Sequence, residues 1–173
     1  FLVSLLPYLD NAAVAHRFDM EKGWENQPRE EQIKKMELLV FIHPSMPEQF
    51  DEDGYPETHY VGLAGIGENA PMLRVNEKGA GMFGYDRVTR FRDVTDGLSN
   101  TIMVSEAVEK LGFWAAGGEP TLRGITEAPY VNGVDGLGSM STGGMHVLFG
   151  DGSVRFISEN IDNELFEGMV TIQ

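Results

Sequence analysis

Residues 145–157 read Met-His-Val-Leu-Phe-Gly-Asp-Gly-Ser-Val-Arg-Phe-Ile, two β-prone runs on either side of Asp151-Gly152. Asp-Gly in that setting is the strongest short-range hairpin signal, because a two-residue type I′ turn needs positive φ at both central positions. The chain is thereby committed to paired antiparallel strands near its end. A closing helix follows, with Asp162 as its cap and Leu165, Phe166 and Met169 on its inner face.

Upstream, the turn formers of Asp93-Val94-Thr95-Asp96-Gly97-Leu98-Ser99-Asn100 lead into an apolar, β-branched run that predicts a strand over 101–107. Tyr60, Leu63 and Ile66 with interleaved small residues predict a glycine-rich strand over 59–66. The run 38–42, bounded by His43-Pro44, predicts a buried strand. Leu2, Leu5, Leu6, Leu9 and Ala13 form one helical face over 1–20, which starts near Ser4 or bends at Pro7. Pro28 opens a second helical period through Ile33, Met36 and Leu39. Residues 43–58 predict an acidic surface loop, 67–84 an irregular one, and 117–144 a long glycine-rich one. The sequence thus predicts a single α+β domain over 1–173, in which 1–20 end an N-terminal helix, 21–58 carry a helix, a strand and the acidic loop, and 59–173 carry the sheet, its loops, the hairpin and the last helix.

With 173 residues, one domain of this kind can bury about two-thirds of its unfolded surface. The 27 acids against 13 bases leave a formal charge of −14, which opposes phosphate backbones and argues against nucleic acid as a partner. No window approaches the ~18 uninterrupted apolar residues of a membrane span. Cysteine is absent, and with it disulfides, thiolate catalysis and Cys-ligated metals.

Motifs for chemistry are sparse. His16, His43, His59 and His146 show no local metal-pair spacing. Gly138-Ser139-Met140-Ser141 is not a nucleophile elbow, and neither a dinucleotide fingerprint nor a P-loop occurs. The residues therefore read as non-enzymatic. Asp51-Glu52-Asp53-Gly54 opens like a calcium loop without its distal Glu, so calcium enters as a weak candidate at Asp51, Asp53, Asp96 and Asp151. Arg87, Arg90 and Arg92 form the one basic cluster, a candidate assembly patch against an acidic face such as Glu48–Glu57. Trp114 and Tyr130 are candidates for stacking on a glycan or small solute.

Asp93 through Glu106 resembles the Asp-Ile-Thr-Asp-Gly-Thr-Ser-Asn-Thr-Ile-Leu-Val-Gly-Glu signature of the planctomycete-type, prepilin-like family of unknown function. Leu5-Leu6-Pro7-Tyr8-Leu9-Asp10, the Phe18-Asp19…Trp24 stretch and Val147–Ser158 are similar to further segments of that family, in the same order. The family's His-x9-Asp-Gly motif here has Ser141 at its histidine position, and its Cys-Pro-Ser segment is His43-Pro44-Ser45.

The resemblance implies a pilin- or pseudopilin-like head, with a helix packed on a small antiparallel sheet enlarged by loops. Asp93, Asp96, Gly97, Ser99, Asn100, Glu106, Asp151 and Gly152 would serve as structural turns. The expected role is a non-enzymatic extracytoplasmic subunit of a surface filament or secretion-type assembly, at the periplasm or cell surface. It would associate with copies of itself or related pseudopilins and be anchored by a helix upstream of Phe1. The alternative is an extracytoplasmic glycan- or solute-binding module, with calcium possible in either case.

Overall fold

The computed structural model describes residues 1–28, 30–33, 36–47 and 49–173. They divide into two compact units: the first takes Phe1–His59 and Leu111–Thr121, the second Tyr60–Lys110 and Leu122–Gln173.

Short helical pieces make up the first unit: α1 (Leu2–Leu5), which tightens into a 3-10 turn at Leu6–Tyr8, then α2 (Ala12–Ala15) and α3 (Glu30–Ile33), with further 3-10 turns at Trp24–Asn26 and Leu39–Phe41. The helix expected over 1–20, starting near Ser4 or bending at Pro7, is corrected to these fragments. Pro7 sits early in the 3-10 turn, where its missing N–H is tolerated, and Asp10 takes a positive φ of 58° that ends the run. Only Leu2 and Leu6 of the predicted face are buried. The strand expected over 38–42 is likewise a 3-10 turn, because Leu38 and Phe41, three apart, are buried while Leu39 is 71% exposed. Part of the second predicted helix, at Lys34 and Lys35, lies outside the described residues.

Aromatic rings fill the core of this unit. Trp114 is 1% exposed and contacts Phe18, Phe41 and Phe113 at ring distances of 5.5, 5.7 and 5.3 Å, while Tyr55 meets Phe113 at 4.8 Å. The Trp114 indole N–H donates to the Met36 carbonyl at 3.0 Å, which satisfies its one polar atom. Gln27 is buried as a clasp: its oxygen accepts the Asp19 amide, and its NH2 donates to the carbonyls of Asp19, Lys22 and Gly23.

The second unit is a five-stranded sheet of β1 (Tyr60–Ile66), β2 (Ile102–Glu106), β3 (Leu122–Ile125), β4 (Gly144–Phe149) and β5 (Val154–Ser158), in the order β3-β1-β2-β4-β5. It is mixed rather than antiparallel, since β3 runs parallel to β1. A single helix, α4 (Asn163–Val170), packs on β1 and β2. Asp162 caps it by accepting the Leu165 amide at 3.0 Å, and Phe166 and Val170 are buried. Leu165, predicted on the inner face, is 57% exposed. The fold is therefore α+β with a mixed sheet.

The hairpin forms, but with a different turn. Among its loop residues Gly152 has positive φ, at 85°; its N–H donates to the Phe149 carbonyl, and the Phe149 N–H donates to the Ser153 carbonyl. This is a three-residue loop, a tight turn followed by a left-handed glycine, rather than type I′.

Two tests follow from the packing. Gly65 lies at an irregularity of β1 with φ 116°, and an added Cβ would fall 1.9 Å from the Gly79 carbonyl oxygen. Gly65→Ala should lower the unfolding free energy in urea titration by about 3 kcal/mol. In the first unit, His59 is wholly buried: Nδ1 accepts the His43 amide at 3.2 Å, and Nε2 has no hydrogen-bond partner. Burial, with His43 adding to it, holds its pKa below the ordinary value. The unfolded chain therefore binds this proton more readily than the native one, and stability should fall as pH drops below about 6.5. Denaturation midpoints measured from pH 8 to pH 5 should show that slope, and His59→Phe should flatten it.

Candidate functional site

The two strongest sequence signatures, 93–106 and 146–158, become adjacent parts of one sheet. β2 and β4 pair with Ile102 opposite Phe149, Val104 opposite Leu148 and Ser105 opposite Val147. The turn before β2 also meets the turn after β4, as the Gly150 N–H donates to the Thr101 carbonyl at 2.9 Å and the Asp151 N–H to the Leu98 carbonyl at 3.2 Å.

Each turn is braced internally. The Asp93 carboxylate accepts the Arg90 amide at 2.7 Å. The Asn100 side chain donates to the Asp96 carbonyl at 2.8 Å, and Thr101 Oγ1 to the Gly97 carbonyl at 3.2 Å. At Asp96 it is thus the backbone that takes the turn's bond. Asp151 Oδ1 accepts both the amide and the hydroxyl of Ser153, at 2.9 and 2.6 Å, and these bonds lower its pKa, the hydroxyl most. Arg155 Nη2 lies 3.9 Å from the Asp151 carboxylate, and its guanidinium sits 4.3 Å over the Phe149 ring. Ser99 is exposed.

At the other end of β2, the Glu106 side chain is 8% exposed. Its Oε2 accepts the His146 amide at 2.7 Å, and Oε1 lies 3.4 Å from His146 Nδ1. Tyr60 stands opposite Glu106 in the β1–β2 register, and its phenol pKa is raised by burial and then by that carboxylate. Residues paired across strands share a face, so Tyr60, Val104, Glu106, His146 and Leu148 line one side of the sheet. They border an open cavity of 290 Å³, with the His146 imidazole edge-on to Phe156 at 5.3 Å. A second cavity of 390 Å³ lies against α4, lined by Asp96, Asn100, Arg155, Glu164, Leu165 and Met169.

Other predicted site residues sit elsewhere. The stacking role of Trp114 and Tyr130 is corrected by burial. Trp114 is enclosed in the aromatic core, and Tyr130 is 7% exposed, stacked on Phe166 and bonded through its hydroxyl to Glu167, which raises its pKa to about 12. Arg87 is also corrected as an assembly residue. Its guanidinium turns inward to the carbonyls of Leu73, Gly81 and Phe83, and desolvation lowers its pKa. Arg90 and Arg92 are exposed. Of the calcium candidates, Asp51 and Asp53 belong to the first unit and Asp96 and Asp151 to the second, and no group of three His, Asp or Glu is placed to hold a metal among the described residues. Glu48 lies outside the described residues.

The sequence reading missed β3 and the clip built on it. Arg123, 4% exposed, donates to the carbonyls of Glu109, Lys110 and Asp135, while Asp135 accepts the amide and hydroxyl of Thr126. The signal, a faint one, was the pair of β-prone residues Thr121 and Ile125 around Leu122 inside a region dominated by glycine.

A family model described as "Protein of unknown function (DUF1559)" matches residues 1–117 and 111–164. The chain belongs to the DUF1559 family. No curated protein and no solved structure matches it. The two docked turns and the Glu106–His146 contact of this DUF1559 chain all fall inside the matched residues. No helix among the described residues is long and apolar enough to cross a membrane.

If Glu106 holds the β2–β4 register, Glu106→Ala should leave the part-buried His146 amide without its carboxylate acceptor and cost about 1–2 kcal/mol in urea denaturation. Glu106→Gln keeps an acceptor and should recover a large part of that loss.

Proposed function

We propose that this DUF1559 chain is the globular head of a non-enzymatic, extracytoplasmic, pseudopilin-like subunit of a surface filament or secretion-type assembly. The observation that carries this reading is what the signature residues do. Asp93, Asn100 and Asp151 brace backbone turns, Gly152 supplies a left-handed turn position, and Glu106 binds a backbone amide. Signature side chains that hold strands and turns in place preserve a shape, which is what a repeating subunit must present. The α+β layering supports the same reading, as does the likeness of four ordered segments to prepilin-like sequences. Membrane attachment would come from an upstream helix, as that likeness implies.

Immunogold electron microscopy of cells expressing the full-length gene product tests this. Label should follow envelope-associated filaments or assemblies. Diffuse cytoplasmic label, or envelope label never associated with a higher-order assembly, would overturn it.

One cavity favours a second reading, an extracytoplasmic solute- or glycan-binding module. The 390 Å³ space beside α4 gathers Asp96, Asn100, Arg155 and Glu164, a polar set suited to sugar hydroxyls. A thermal-shift screen against a sugar panel should then give a hit that Arg155→Ala removes, and a flat screen would count against it.

A further inference from the structure

Exposed apolar side chains on an acidic protein are informative when charge of the minority sign surrounds them. The chain carries 27 acids and 13 bases, yet one loop of the second unit sets two arginines, Arg90 and Arg92, on either side of an uncovered ring. Phe91 is 73% exposed and Val88 69%. Arg90 is exposed, and the Arg92 side chain is 78% exposed, with its Nε 3.9 Å from Asp93 Oδ1. The 3-10 turn Phe91–Asp93 is fixed by the Asp93 carboxylate on the Arg90 amide at 2.7 Å, so the ring is presented by a defined backbone.

A loop of the first unit offers the complement. Phe50 is 47% exposed, and Glu52 and Asp53 beside it are exposed. This loop is also built. Asp51 Oδ1 accepts the amides of Asp53 and Tyr55 at 3.1 and 2.8 Å, and Phe50 bridges to Pro56. Carboxylates crowd there: burial, with Asp51 adding to it, raises the pKa of Glu57. A partner that brings cations relieves such repulsion.

We propose that these loops are the two halves of a contact between copies of this chain, with Val88 and Phe91 of one copy on Phe50 of the next, and Arg90 and Arg92 facing Glu52 and Asp53. It rests on the assembly reading above and names the surfaces that assembly would use. Because the halves differ, a joined pair keeps one of each unused, so the contact repeats into a ring or an open filament. Ring-on-ring burial at the centre supplies affinity, while the surrounding charge pairs set orientation and salt sensitivity.

Sedimentation velocity of the purified chain over a range of concentrations tests this. At low ionic strength the weight-average mass should rise with concentration, and added salt should suppress the rise. R90E/R92E and E52R/D53R should each stay monomeric alone, and their mixture should regain mass growth. A control variant of the same charge change outside both loops, E21R/E127R, should keep the wild-type growth in mass. Phe91→Ser should weaken association by about tenfold or more. A wild-type chain that stays monomeric, growth that survives R90E/R92E, or loss of growth in the E21R/E127R control would each overturn the contact. Growth that ignores these substitutions sinks this contact alone, whereas the assembly reading falls only with the microscopy.

Discussion

A carboxylate shielded from water must find donors, and Glu106 finds them in the strand beside it. Its bond to the His146 amide fixes where β4 lies against β2, and that register carries through the rest of the sheet. With Val104 opposite Leu148, the turns at the far ends of these strands arrive side by side, and the Gly150 and Asp151 amides reach the carbonyls of Thr101 and Leu98. Tyr60 then sits opposite Glu106 on β1. A one-residue slip would turn every one of these side chains to the other face.

Long loops are retained around that sheet by cations facing inward. Arg123 gathers carbonyls from two loops onto β3, and Arg87 does the same for the 73–83 segment. Guanidinium suits this task because its fixed fork of donors reaches several carbonyls at once. In the first unit Gln27 performs the equivalent service for the 19–23 loop with a neutral amide. Loops that lack helix or strand are thereby given hydrogen-bond partners, which is what lets a compact unit carry them.

Elements governed by local chemistry were legible in the sequence. The hairpin, β2, most of β1 and the Asp162 cap all follow from alternation, turn residues and capping, which depend on near neighbours. What escaped depends on distant ones. Leu38 to Phe41 has the composition of a strand, but burial at a spacing of three draws it into a turn. β3 is four residues in a glycine-rich stretch and exists because β1 offers it an edge. Trp114 and Tyr130 look alike in sequence to surface aromatics, and only tertiary partners reveal them as core. Of the candidate site, Glu106 and His146 were visible as residues, while their contact needed the β2–β4 pairing.

Chain connectivity carries a consequence for how this protein comes to be. Phe113 and Trp114, at the heart of the first unit's aromatic core, belong to a short segment that interrupts the chain of the second. On a ribosome that releases the N-terminus first, residues 1–59 lack their central rings until half the second unit has also emerged. The first unit therefore cannot mature as an early, separate folding event. A break in the chain between the two segments would leave an N-terminal fragment without the side chains its core is built around, so the integrity of the connecting stretch is part of the folding mechanism itself.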